Sequence, residues 1–160
     1  MTTSATVPAQ GAVRALELGH VTLWVTDLDS SCAFYGALLG MPEVDRGIVR
    51  SRRMALFSLG VQHHDLALVE VGGTPVERRA NTPGLNHIGI KIGERLDDLR
   101  QMRDWLLAHG AVPRLYIDHG TSQSLHVHDP DGNAIELYVE VTPADGWPRG
   151  LIQAEPLQLD

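Results

Sequence analysis

The residues with chemistry to offer are two histidines and a glutamate, set at matching places of a repeated pattern. In residues 86–92, NHIGIKI, strand alternation puts Ile88, Ile90 and Ile92 on one face and His87, Gly89 and Lys91 on the other. An imidazole beside a residue with no side chain leaves room for something to sit against it. Residues 18–25, LGHVTLWV, repeat the arrangement, with Val21, Leu23 and Val25 on one face and His20, Thr22 and Trp24 on the other. Residues 134–140 send Ile135, Leu137 and Val139 to a core face and Ala134, Glu136, Tyr138 and Glu140 to the opposite one. Two neutral imidazoles and one carboxylate sharing a face are the set that holds Fe(II) on one triangular side, leaving positions for substrate and dioxygen. Each histidine alone reads more readily as a structural or exposed strand residue than as a ligand. The matched pair and the in-register glutamate favour the metal, and the residues by themselves leave both readings open.

For these side chains to meet, the chain must be a duplication. After the first strand, Thr26, Asp27 and Ser30 offer helix N-cap residues, and Cys32, Tyr35, Leu38 and Leu39 recur at helical spacing until Gly40. Strands are predicted over 43–49, 53–59 and 64–71. A second helix is predicted over 95–109, followed by strands at 112–117, 122–128 and 134–140. Asp129-Pro130-Asp131-Gly132-Asn133 is a turn signal that makes the flanking strands a hairpin. The fold class is therefore α+β: two βαβββ modules forming a curled mixed sheet around a metal-binding cup, with the helices outside. The single domain is expected over 16–141, as module 1 at about 16–71, a Gly- and Pro-rich linker at 72–84 and module 2 at about 85–141. Residues 1–15 read as a flexible arm. Residues 142–160, with Trp147, Leu151 and Ile152, read as a tail packing on the domain or a partner subunit.

At 160 residues, 43% hydrophobic and 21% charged, the composition is that of a globular chain able to bury a core. A net charge of −7 argues against nucleic acid, and Arg50, Arg52 and Arg53 form only a small local cluster. The lone Cys32 has no disulfide partner in the chain and reads as packing. No run approaches a membrane span and residues 1–15 lack a secretory pattern, so a cytoplasmic protein is expected.

The segments GHVTLWVTDLDSSCAFYGALLGM, LNHIGIKI and HDPDGNAIELY resemble the vicinal oxygen chelate superfamily from about Leu18 to Glu140. Within it the chain is similar to the short, two-module type I extradiol ring-cleaving dioxygenases. The resemblance implies iron ligands at His20, His87 and Glu136, with Fe(II) or Mn(II) as the metal. It also implies a small aromatic diol and O2 as reaction partners, and a homodimer. Residues 62–68, QHHDLAL, resemble a family motif that would make His64 the acid/base residue, although a His-His pair also serves as a polar strand entry. Asp118-His119-Gly120 resembles the segment whose histidine hydrogen-bonds substrate oxygens. The chain departs from the family at His126, where a tyrosine is usual.

Counting outward from the turn places His126 opposite Glu136, with Cβ atoms about 4.5–5.5 Å apart. His126 would then donate to substrate in place of the phenol and add a pH-dependent limb to the rate. In DLALVEV, residues 65–71, Ala67 and Val69 take the cup face, so three protein ligands are expected. A one-residue shift would turn Glu70 inward as a fourth; otherwise it is an exposed glutamate near a strand end. The function implied is Fe(II)-dependent extradiol cleavage of a catechol-like ring. The alternatives are a glyoxalase-like metal-dependent lyase, isomerase or epimerase, and a drug-sequestering binding protein.

Overall fold

The computed structural model describes residues 15–75, 83–141 and 153–159. The elements run β1 (Val21–Val25), α1 (Leu28–Cys32) continued by a π-helical stretch (Ala33–Leu38), β2 (Glu43–Val49), β3 (Arg52–Phe57) and β4 (Leu66–Glu70). The same series then repeats as β5 (His87–Gly93), α2 (Leu96–Ala108), β6 (Leu115–Asp118), β7 (Ser122–His128) and β8 (Ala134–Glu140). A short β9 (Glu155–Pro156) follows. The strands form two open mixed sheets, ordered β1-β4-β3-β2 and β5-β8-β7-β6-β9. In each βαβββ unit the first strand lies parallel to the last, β1 on β4 and β5 on β8, and the remaining pairings are antiparallel. The duplication expected from the two histidine strands is thus the topology of the chain.

Several boundaries differ from the expected ones, and two of them matter for the site. The first β1 ladder bond is donated by Val21 N to Asp65 O, so His20 and His64 stand just before their strands rather than within them. β6 begins at Leu115, after Pro113, which offers no N–H to a ladder. The first helix widens into the π stretch beyond Cys32, where Leu39 N reaches back to Phe34 O, and it ends at Gly40 with φ of +73°. Asp27 caps α1 by accepting from Ser30 N at 2.7 Å. The tail returns to its own domain, pairing β9 with β6, and Leu157 and Leu159 pack against the core. The arm at 1–14, linker residues 76–82, and Trp147, Leu151 and Ile152 lie outside the described residues. No helix among the described residues is long and apolar enough to cross a membrane.

One apolar cluster joins the units, with Leu28, Tyr35, Phe57 and Leu68 from the first and Leu99, Leu106, Leu125, Ile135 and Leu137 from the second. The polar joint lies in the hairpin turn between β7 and β8. Asp129, only 5% exposed, accepts from Asn133 N (2.7 Å), Asn133 Nδ2 (2.8 Å) and Asp131 N (3.0 Å), and also from the fully buried Tyr35 OH at 2.8 Å. Burial, reinforced by the Asp129 carboxylate, raises the Tyr35 pKa far above its ordinary value and keeps the phenol a donor. Asp131 in turn accepts from Thr26 Oγ1 at 2.6 Å and from Thr26 N. The turn therefore fixes its own hairpin and is tied to the entry of α1. Tyr35→Phe is expected to cost about 1–3 kcal/mol, the usual range for a hydrogen bond to a charged group. Urea unfolding measures this, and an unchanged midpoint would show that the joint contributes nothing.

Candidate functional site

Two registers build the second-unit half of the site. Parallel pairing of β5 with β8 sets Gly89 opposite Glu136, and antiparallel pairing of β7 with β8 sets His126 opposite the same glutamate. Gly89, Glu136 and His126 thus form a row across three strands. A Cβ on Gly89 would stand 3.4 Å from Glu136 Oε2, so the missing side chain is what leaves the carboxylate open from that side.

Three imidazoles surround that carboxylate. His87 Nε2 lies 3.2 Å from Oε2, while His119 Nε2 and His126 Nε2 lie 3.3 and 3.5 Å from Oε1. Two of the rings are also engaged at Nδ1. His87 Nδ1 is 2.7 Å from Asn86 Oδ1, and His119 Nδ1 is 2.7 Å from the backbone oxygen of Gln153. Both oxygens can only accept, so each Nδ1 is a donor, and each Nε2 faces a Glu136 oxygen that likewise only accepts. A cation bonded by the Nε2 atoms and the carboxylate would satisfy this arrangement. His126 Nε2 is buried, and at 3.5 Å from Glu136 it lacks a partner at hydrogen-bonding geometry. Its imidazole nonetheless does most to hold the Glu136 carboxyl down to about 2, against burial, with smaller pulls from Ser124 and His87.

The first unit supplies a separate pair. His20 and His64 stack with centroids 4.4 Å apart, and His64 Nδ1 is 3.0 Å from His63 Nδ1. The His64 pKa is lowered, first by desolvation and then by His20 and His63. His20 makes no hydrogen bond or ion pair with His87 or Glu136, but it lines a cavity of about 180 Å³ together with Ile88 and Gly89. The position equivalent to Glu136 in the first unit is Ala67, opposite Thr22 where the second unit has Gly89. Glu70 is committed elsewhere: its Oε2 accepts from Leu28 N at 2.9 Å and from Arg53 Nη1 at 3.0 Å, at the start of α1. It does not turn inward.

Among the described residues, no group of three or more His, Cys, Asp or Glu side chains is gathered so as to hold a metal ion as it stands. One pair of donors nevertheless has the spacing of two ligands of a divalent ion. Ligands about 2.1 Å from a shared ion stand about 3.0–3.4 Å from each other at octahedral or tetrahedral angles, and the 3.2 Å between His87 Nε2 and Glu136 Oε2 falls in that range. The open face at Gly89 and the orphaned His126 nitrogen point the same way. Sequence reasoning missed Asn86, Ser124 and Gln153. Asn86 sits directly before His87, which is a readable signal; Gln153 acts through its backbone and leaves none.

The fold agrees with the comparisons to known proteins. The chain belongs to the Glyoxalase/Bleomycin resistance protein/Dioxygenase superfamily, whose model matches residues 17–137. It is 32% identical over 127 residues to biphenyl-2,3-diol 1,2-dioxygenase 3 of Rhodococcus globerulus, covering 77% of this chain and 63% of that protein. It is 28% identical over 132 residues to catechol-2,3-dioxygenase of Bacillus subtilis, covering 82% and 44%. The chain thus spans just under two thirds of the first relative and less than half of the second. Among solved structures, a glyoxylase/bleomycin resistance protein/dioxygenase domain from Frankia sp. EAN1pec matches with TM-score 0.67 and 26% identity, over 79% of this chain and 99% of that one. FosX of Listeria monocytogenes complexed with Mn(II) and sulfate matches at 0.60 and 19%, over 81% and 95%, a likeness of fold alone.

The Glu136 carboxyl has a folded pKa below its ordinary 4.5, so its stabilisation is present above that value and fades as the pH falls toward about 2. In metal-free protein the stability gap between wild type and Glu136→Gln should therefore shift by roughly 3 kcal/mol between pH 7 and pH 2. Urea unfolding across that range measures it, and a constant gap would contradict the assignment.

Proposed function

We propose that the chain binds one divalent metal through His20, His87 and Glu136 and acts as an extradiol-type dioxygenase on a catechol-like ring. The observation that carries this reading is the His87–Glu136 pair, with His87 Nε2 3.2 Å from Oε2 and Nδ1 engaged by Asn86, beside a cavity that His20 lines together with Gly89. The superfamily membership and the printed activities of the R. globerulus and B. subtilis relatives support it. When bound, Fe(II) or Mn(II) supplies a Lewis-acid centre that chelates a vicinal diol and brings dioxygen beside it.

The remaining chemistry belongs to the chain. Asn86 orients His87 from behind, holding its Nε2 toward the ligand position. His64, with its pKa lowered and its Nδ1 3.0 Å from His63 Nδ1, stacks on His20 and would serve as the base for a diol proton. His119 and His126 flank Glu136 and are placed to contact the substrate oxygens. Gly89 and apolar walls from Val21, Ile88 and Leu59 line the cavity beside His20, where a ring would sit. Ala67 at the position equivalent to Glu136, together with the engaged Glu70, favours a three-ligand site over the four-ligand lyase or isomerase alternative.

Protein purified without oxygen should retain about one iron or manganese per chain and consume dioxygen when given a catechol. His20→Ala, His87→Ala and Glu136→Ala should each lose the metal. His64→Phe should keep it while turnover falls about 10²–10⁴-fold. Retained metal with no oxygen uptake on any catechol would move the assignment to a lyase or epimerase, and full occupancy in Glu136→Ala would overturn the site.

A further inference from the structure

The tail does more than cover an edge. β9 pairs antiparallel with β6, setting Pro156 opposite Ile117 and Glu155 opposite Asp118, and Leu157 N donates to Tyr116 O at 3.2 Å. Two anchors hold it there. Leu157 and Leu159 pack against the core cluster, and Arg103 Nη1 on α2 donates to Leu159 O at 2.5 Å. This register carries the chain just ahead of β9 over the β6–β7 turn, where the Gln153 carbonyl meets His119 Nδ1 at 2.7 Å. The Gln153 side chain also lies over Gly120, which has φ of +78° and where a Cβ would collide with the side-chain amide. From the other side, His119 N donates to Ser122 O at 2.9 Å and fixes the backbone of the turn.

We propose that residues 153–159 are a positioning element for the site: β9 delivers the Gln153 carbonyl to His119, takes the Nδ1–H as donor, and so fixes the ring with Nε2 aimed at Glu136. A backbone carbonyl suits this task, since it can only accept and its place is set by strand pairing rather than by a rotamer. Without the tail nothing else in the described structure holds His119 Nδ1, and the ring is free to turn or to exchange tautomers. The segment adds a residue from outside the two duplicated units to the working parts of the second.

Nitrogen NMR of the imidazoles in metal-free full-length protein reads the proton position directly. Wild-type His119 should carry its proton on Nδ1. Leu157→Pro removes the donor to Tyr116 and should give a mixture of ring forms. Urea unfolding checks that the variant remains folded. The turnover arm rests on the dioxygenase reading: kcat with a catechol should fall about 10–100-fold, with iron content unchanged. An unprotonated Nδ1 in the wild type overturns the proposal without needing any variant. So does a folded Leu157→Pro protein with His119 still protonated at Nδ1 and full turnover, and so does loss of iron in step with loss of turnover. Absence of oxygen uptake in the wild type sinks the dioxygenase reading instead and leaves the result on the ring proton standing.

Discussion

The site depends on the register of three neighbouring strands. Glu136 faces outward only because β8 is held between β5 and β7 with Gly89 and His126 at its own level. Side chains alternate along a strand, so a slip of one residue would bury the carboxylate and turn Ile135 or Leu137 to solvent. That slip is opposed from within by Ile135, Leu137 and Val139, all fully buried. It is opposed at the hairpin by the Asp129 turn, whose internal bonds leave His128 no partner but Ala134. Tyr35 and Thr26 then tie the same turn to the first unit, so the feature that sets the register also fixes where the first unit meets it.

The electrostatics follow from that geometry. A carboxylate with a side chain only 13% exposed would ordinarily be pushed toward its neutral form, yet Glu136 is held ionised, chiefly by His126 and with smaller pulls from Ser124 and His87. The two units have divided their labour. At equivalent positions the second has Gly89 and Glu136 where the first has Thr22 and Ala67, so only the second unit offers a carboxylate at this level. Each unit contributes a histidine near the start of its first strand, His20 and His87, and that is the part of the duplication the proposed ligand set uses.

Much of this was legible in the sequence because it rests on strong, local signals. Period-two alternation marked His87, Gly89 and Glu136 as sharing the face away from the core, the DPDGN turn gave the pairing of His126 with Glu136, and the repeat of the histidine strands gave the topology. Other features rest on contacts between residues far apart in the chain. The π widening after Cys32 looks helical by spacing, and the return of the tail depends on one free edge of β6 and two apolar anchors. Gln153 acts on His119 through a main-chain oxygen that every residue type shares, so no residue pattern could announce it. His20 and His64 were read as strand residues, because the alternation extends slightly past the last ladder bond.

The central claim is the identity of the ligands, and anomalous diffraction from crystals soaked with Mn(II) tests it most directly. The account predicts a single strong peak bonded to His20, His87 and Glu136, with His119 and His126 beside the ion but not bonded to it. A peak held by His87, His119 and Glu136 with His20 left against His64, or no peak at this carboxylate, would contradict it.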